Sequence, residues 1–152
     1  MSLSDIKSRI AGAEAKFSKP LNSTSLIAVS KLQPNERVLK VLDAGHREFG
    51  ENYVQEALEK IRHFNPPDIN WHFIGPIQSN KTRAIANNFS WVHSVDRLKI
   101  AERLSAQKKS NLADINICIQ INVDDEKSKS GGIKPCLSLG RIRSSIVEGS
   151  GV

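Results

Sequence analysis

The sequence predicts an α/β fold in which short strands alternate with amphipathic helices along a parallel sheet. Two observations predict it. Short apolar runs rich in strand-forming residues recur along the chain, and segments with apolar residues at spacings of three and four separate them. This alternation is typical of βα units. With 152 residues, the chain is long enough for one domain with its own core, and we predict a single domain over 1–152.

The first predicted element is a helix over 3–17, where apolar residues such as Leu3, Ile6 and Ile10 lie on one face. Ser2 or Ser4 is a candidate N-cap for this helix. The pattern then predicts strands at 25–31, 47–51, 69–75, 90–95 and 115–123, and helices at 35–44, 53–64, 79–88 and 97–107.

Two architectures fit this order of elements: an open doubly wound sheet and a closed (β/α)₈ barrel. An open nucleotide-binding sheet usually has a glycine-rich turn after its first strand, but the turn here reads "SKLQPN" at 30–35. There is therefore no dinucleotide fingerprint and no Walker loop at this turn. Both architectures place ligands at the carboxyl ends of the strands.

The formal net charge of +6 raises the question of a nucleic-acid partner. The basic excess is spread along the chain instead of forming a tract, and the Phe and Trp residues lie within apolar runs. We therefore do not expect nucleic-acid binding to be the main function, although a basic binding module stays as an alternative.

The sequence also bears on localisation and metal binding. No apolar run approaches the roughly 18–20 residues that a membrane span needs, and the N-terminal stretch has no signal-peptide core. We expect a cytoplasmic protein without a membrane partner. Cys118 and Cys136 have no metal-ligand spacing, so no metal site is predicted.

Polar side chains follow or close the predicted strands, and we expect several of them to share one site. These residues are Lys31, Glu51, Asn52, His72, His93, Ser94 and Asn122, with Gly75 closing the third strand. Lys31 follows the apolar run "LIAVS", where an ammonium group has two common uses. It can bind an anion, or lose its proton and attack a carbonyl, so Lys31 is a candidate Schiff-base lysine.

Longer stretches then resemble a known family, the YggS-like pyridoxal phosphate homeostasis proteins. The resemblance rests on "LIAVSK" (26–31), "FGENYVQEALEKI" (49–61), "WHFIGPIQSNK" (71–81), "VHSVDRLKIAERL" (92–104) and "QINVDDEKSKSG" (120–131). It covers the chain from about residue 3 to residue 131.

The resemblance implies a (β/α)₈-type barrel like the alanine racemase N-terminal domain, carrying pyridoxal 5′-phosphate. It implies that Lys31 holds the cofactor as a Schiff base, and that Asn52 and His72 line the pocket. Members of this family help to balance free pyridoxal phosphate and amino-acid pools and are not known for robust catalysis. The resemblance therefore implies a homeostasis role with no catalytic residues.

The sequence departs from the family after "SKSG" at 128–131. A glycine-rich phosphate turn and most of the preceding segment are missing, and 132–152 looks like a remnant of the late barrel. Ser138, in the fragment "LSLG", is a candidate cofactor contact. Either the chain is internally shortened or its segments are joined across a gap. Five βα units cannot close an eight-stranded barrel, so we expect open strand edges and a weaker hold on the phosphate.

The main rival function is an amino-acid racemase-like enzyme that uses the same cofactor. Racemisation in the related fold needs a second acid/base group, a tyrosine from another domain. The sequence has one tyrosine, Tyr53, and no second domain, which disfavours the enzyme. We expect a monomer or weak oligomer whose partner is the small-molecule cofactor.

Overall fold

A computed structural model describes residues 2–64 and 68–121, in which helices and strands alternate along the chain. The helices are α1 (Leu3–Lys16), α2 (Asn35–Asp43), α3 (Val54–Phe64), α4 (Thr82–Asn88) and α5 (Leu98–Gln107). The strands are β1 (Ala28–Val29), β2 (Glu48–Glu51), β3 (Asn70–Phe73), β4 (Trp91–Val95) and β5 (Asn116–Ile119). None of the helices in these two ranges combines the length and apolar character that crossing a membrane requires.

The strands form one parallel sheet in the order β1-β2-β3-β4-β5. Each strand lies beside the next one in the sequence, and no crossover reverses the order. A doubly wound sheet reverses its strand order at a switch point, whereas a (β/α)₈ barrel keeps it. The predicted α/β class is therefore confirmed, and the sheet has the order of part of such a barrel.

The described sheet has two edges. Within the residues that the structure describes, β1 pairs only with β2, and β5 pairs only with β4. The segment 132–152, predicted as a remnant of the late barrel, lies outside the described residues.

The hydrophobic core lies between the sheet and its helices. Side chains alternate along each strand, so Phe49 of β2, Phe73 of β3 and Val92 of β4 point to one face, and each is at most 1% exposed. The helices cover this face with side chains that are fully buried, namely Ala57, Ile85, Ile100 and Leu104. The opposite, concave face of the sheet carries the polar residues described below.

Helix α1 begins with a capping box, and the cap is Ser2, one of the two predicted candidates. The Asp5 amide donates to Ser2 Oγ at 3.1 Å, and the Ser2 amide donates to Asp5 Oδ2 at 2.7 Å. This backbone hydrogen bond from Ser2 lowers the pKa of the Asp5 carboxyl.

Four predicted elements have boundaries that are wrong by two residues or more. Strand β3 ends at Phe73 instead of residue 75, and β5 ends at Ile119 instead of residue 123. Strand β1 has two residues instead of the predicted 25–31, because the chain turns at once: the Gln33 amide donates to the Ser30 carbonyl, and Leu32 has a φ of 58°. Helix α4 begins at Thr82 instead of residue 79, because Thr82 Oγ1 donates to the Ser79 carbonyl and closes a turn before the helix.

Candidate functional site

Lys31 lies at the carboxyl end of β1, as predicted. Ala28 is half-buried, Val29 is half exposed, Ser30 is 5% exposed and Lys31 is exposed. The alternation of the strand therefore continues past its last paired residue and directs Lys31 toward the concave face, away from the helices. Among the described residues, no hydrogen bond or ion pair of the Lys31 ammonium is found.

Asn52 follows β2, as Lys31 follows the neighbouring strand β1. The last paired residues of these two strands are Val29 and Gly50, so Lys31 and Asn52 each lie two residues beyond that pair. The Asn52 Oδ1 atom is buried and has no hydrogen-bond partner among the described residues. A buried amide oxygen without a partner is costly, and such an atom at a strand end is available to a ligand.

Gly75 makes room for Asn52. A Cβ atom at Gly75 would lie 2.7 Å from the Asn52 Cα and closer still to the Asn52 carbonyl oxygen. Only glycine allows the end of β3 to pass this close to the backbone that carries Asn52. The glycine that closes the predicted third strand thus shapes the candidate site.

His72 lies on the concave face, in contact with residues from both neighbouring strands. Its Nε2 atom is 2.6 Å from Glu48 Oε2, and its Nδ1 atom is 2.9 Å from His93 Nε2. Its ring is stacked on Trp91, with the centroids 5.9 Å apart and the planes 8° from parallel. His72 is 5% exposed, so these contacts hold the ring in one orientation.

Lys31 and His72 lie at different levels of the concave face. Val29, Gly50 and His72 form one row across the sheet, and Lys31 lies two residues beyond Val29. Two residues span roughly 6.6 Å along a strand, and two inter-strand steps span roughly 9.6 Å. The register therefore puts the Lys31 backbone two residues beyond His72 along the sheet and two strands away from it.

The remaining predicted strand-end residues have structural partners or lie outside the description. Burial lowers the pKa of His93, and a smaller contribution comes from the nearby charge of His72. Ser94 Oγ donates to the Gly75 carbonyl. Asn122 and Ser138 lie outside the described residues.

A buried polar network beneath Lys31 was not predicted. Its central group is the Lys60 ammonium on α3, which donates to Glu51 Oε1 at 2.8 Å and to Glu56 Oε1 at 2.6 Å. Ser30 Oγ donates to Glu51 Oε1 at 2.6 Å. The sequence carried one signal: Lys60 lies three residues after Ala57 on the apolar stripe of α3, where a charged residue needs a buried partner.

A known protein family matches most of the chain. The sequence profile described as "Alanine racemase, N-terminal domain" matches residues 1–144. The chain belongs to the alanine racemase N-terminal domain family. This membership agrees with the strand order of the sheet and confirms the family resemblance drawn from the motifs.

Curated relatives of this family member are named pyridoxal phosphate homeostasis proteins. The protein from Escherichia coli is 46% identical over 132 residues, which cover 85% of this chain and 56% of the relative. The protein from Pseudomonas aeruginosa is 51% identical over 129 residues, which cover 85% of this chain and 56% of the relative. The chain thus spans a little over half the length of these relatives.

Solved structures of PipY from Synechococcus elongatus have the same fold as this family member. PipY without pyridoxal phosphate superposes with a TM-score of 0.68 at 38% identity, covering 83% of this chain and 58% of PipY. PipY with pyridoxal phosphate bound superposes with a TM-score of 0.64 at 39% identity, covering 78% of this chain and 55% of PipY.

Proposed function

We propose that the chain binds pyridoxal 5′-phosphate through Lys31 and serves in cofactor and amino-acid homeostasis. The observation that carries the proposal is the exposed Lys31 amine at the carboxyl end of β1, on the same side of the sheet as Asn52. Ligands of parallel βα folds bind at this end of the strands. The similarity to PipY, which has been solved with pyridoxal phosphate bound, supports the same cofactor here.

The residues present fit the pyridoxal part of the cofactor. Lys31 supplies an amine without an ion-pair partner in the described part of the chain, and Asn52 Oδ1 is a buried acceptor without a donor. The His72 and Trp91 rings stack against each other across β3 and β4. When bound, the cofactor supplies an aldehyde that condenses with a lysine amine to a Schiff base and releases one water.

The phosphate end of the cofactor needs donors from elsewhere. Phosphates in proteins are bound by backbone N–H groups at helix N-termini or glycine-rich turns. The late segment that contains Ser138 lies outside the described residues, and we propose Ser138 as a contact on the basis of the "LSLG" fragment alone.

We propose that the chain binds the cofactor without efficient catalysis. The relatives at 46% and 51% identity are named as homeostasis proteins, which supports this view over a racemase-like enzyme. Tyr53, the one tyrosine of the sequence, lies directly after Asn52 and is 52% exposed. Within the described residues, no hydrogen bond of its phenol is found that would hold it as an acid or base.

The test is trapping of the covalent link. The purified 152-residue chain is mixed with pyridoxal phosphate, reduced with borohydride and digested, and the labelled peptide is identified by mass spectrometry. We expect visible absorbance before reduction and a single label on Lys31. Lys31→Ala should lose both signals, whereas Lys99→Met, which replaces an exposed lysine on α5, should keep them. A label on another lysine in the unmodified chain rejects the assignment.

Three further properties stay as predictions under the same proposal. We expect a single cofactor-binding domain over 1–152, a monomer or weak oligomer in solution, and a cytoplasmic location. Light scattering of the purified chain at several concentrations measures the oligomeric state. If the chain instead binds nucleic acid, with an affinity that falls as the salt concentration rises and does not depend on pyridoxal phosphate, the basic-module alternative is favoured.

A further inference from the structure

We propose that Lys60 and Glu56 are positioning residues that hold the Lys31 segment from below. This proposal rests on the proposed function, since it concerns the lysine that binds the cofactor. The structure shows a buried cation and a carboxylate whose hydrogen bonds end on the residues immediately before and after Lys31. Neither residue contacts the cofactor position directly, because both lie on the helix side of the sheet.

Lys60 is buried among three acceptors. Its side chain is 5% exposed, and its Nζ atom donates to the Ser30 carbonyl at 2.5 Å, to Glu51 Oε1 at 2.8 Å and to Glu56 Oε1 at 2.6 Å. An ammonium group has three N–H donors, so these contacts use its full capacity. The Glu51 side chain is 0% exposed, so the charge of Lys60 compensates a fully buried carboxylate.

Three hydrogen bonds hold the residue before Lys31, two from the network and one from the backbone of the sheet. Ser30 Oγ donates to Glu51 Oε1 at 2.6 Å, and the Ser30 carbonyl accepts from Lys60. The Ser30 amide donates to the Gly50 carbonyl at 2.9 Å, which continues the sheet. The backbone that enters Lys31 is therefore fixed by the side chains of α3 and by β2.

The network also holds the residue after Lys31. The Leu32 amide donates to Glu56 Oε1 at 2.6 Å, the same oxygen that accepts from Lys60. Leu32 has a φ of 58°, a left-handed conformation that costs a non-glycine residue on the order of 1 kcal/mol. Because its side chain is 74% exposed, packing does not hold this conformation, and two hydrogen bonds do: the Leu32 amide donates to Glu56, and the Gln33 amide donates to the Ser30 carbonyl.

These contacts define what the network can do for Lys31. The backbone on both sides of the lysine is fixed, so the ammonium group starts from a defined Cα position and samples fewer orientations. A fixed nucleophile reacts more readily than one on a free loop, because its orientation is already established.

The test compares variants of the network with matched controls on exposed positions. Glu56→Ala removes the acceptor of the Leu32 amide, and Lys60→Met removes the ammonium. The controls are Glu59→Ala, which is exposed on the same helix, and Lys99→Met on α5. Amide hydrogen exchange is measured by NMR without cofactor, and the pyridoxal phosphate affinity is measured from the visible absorbance. If Lys60→Met fails to fold, Glu56→Ala carries the test.

We expect Glu56→Ala to speed exchange of the Leu32 amide about tenfold, as loss of a hydrogen bond to a charged group implies. The Val92 amide in β4, far from the network, should keep its rate. The cofactor affinity should fall by a similar factor, and both controls should match the unmodified chain. This local change separates positioning from general destabilisation, which would speed exchange at both amides.

Four outcomes overturn the proposal. Unchanged exchange at Leu32, or equal acceleration at Leu32 and Val92, shows that the network does not hold the Lys31 segment specifically. Faster exchange at Leu32 with unchanged cofactor affinity shows that the restraint is irrelevant to binding. Labelling of a lysine other than Lys31 in the unmodified chain rejects the proposed function itself, and the positioning role falls with it whatever Leu32 does.

Discussion

His72 and Glu48 are joined across β3 and β2 by a 2.6 Å contact between Nε2 and Oε2. An ionised carboxylate can only accept, so the Nε2 atom of His72 must carry hydrogen and donate it. Glu48 is itself held by the side-chain amide of Asn70, whose Nδ2 atom donates to Glu48 Oε1 at 2.7 Å. Because the His72 Nδ1 atom faces His93 Nε2, those two nitrogens share a single proton.

The first prediction concerns this tautomer. In the neutral form of His72, Nε2 should carry hydrogen and Nδ1 should accept from His93. Nitrogen chemical shifts of the imidazole rings measure the tautomer directly. Glu48→Leu should lower the Nε2–H fraction, because the acceptor is gone. A majority of the Nδ1–H tautomer in the unmodified chain would contradict the assignment.

The second prediction concerns stability in weak acid. Burial lowers the pKa of both His46 and His93 from the ordinary value near 6.5. Below that value the unfolded chain binds more protons than the folded chain does, so the free energy of unfolding should fall as the pH drops below about 6.5. Urea unfolding at several pH values between 7.5 and 5 measures the free energy of unfolding as a function of pH. His93→Gln should flatten this dependence, and His63→Gln, at an exposed position, should not.

The sequence was informative wherever the periodicity was long and regular. Helices α3 and α5 end where predicted and begin within one residue of the prediction, because each has a continuous apolar stripe. Strand β1 was predicted too long, since an apolar run does not reveal where its ladder of hydrogen bonds stops. The turn at Leu32 depends on an acceptor from Glu56, a residue distant in sequence.

The candidate site shows the same limit. The placement of Lys31 and Asn52 at the same edge of the sheet could be predicted, because parallel strands have their carboxyl ends there. The contacts of His72 with Glu48 and His93 depend on the register of three strands, which the sequence does not specify. The apolar stripe of α3 hints at the burial of Lys60, but it does not reveal the acceptors at Ser30 and Glu51, which lie outside that helix.

The third prediction concerns the close approach of Gly75 and Asn52. Gly75→Ala would place a methyl group 2.7 Å from the Asn52 Cα and closer still to its carbonyl oxygen, so the backbone must move. We expect a loss of about 1–3 kcal/mol in the free energy of unfolding and weaker cofactor binding. Gly12→Ala is the control, because nothing lies within 4 Å of the position that its new methyl group would take on α1. That variant should gain about 0.5–1 kcal/mol, as helical glycines usually do.

The fourth prediction separates binding from folding at Asn52. Its Oδ1 atom makes no hydrogen bond among the described residues, so Asn52→Ala should change the free energy of unfolding little. If this atom accepts from the cofactor, the affinity for pyridoxal phosphate should fall up to about tenfold. Titration by absorbance and urea unfolding on the same preparation measure both quantities. Equal affinity of the variant and the unmodified chain would remove Asn52 from the site.

The last prediction concerns the part of the barrel that the chain shares with its relatives. The chain covers 56% of the homologue from Escherichia coli. The family resemblance implies a late glycine-rich turn, which we predict to be missing from these 152 residues. Phosphate binding relies on backbone N–H groups of such turns, so we expect the 152-residue chain to hold pyridoxal phosphate more weakly than that homologue. Parallel titrations of the two purified proteins measure the difference.

The strand edges give this prediction a second readout. Within the described residues, β1 and β5 each pair on one side only, and unpaired edges promote association. Light scattering should therefore show association that grows with concentration, and the intact mass establishes that the molecule measured has the 152-residue sequence. Equal cofactor affinity in the two proteins, with a strictly monomeric chain, would show that another segment supplies the phosphate donors and covers the edges.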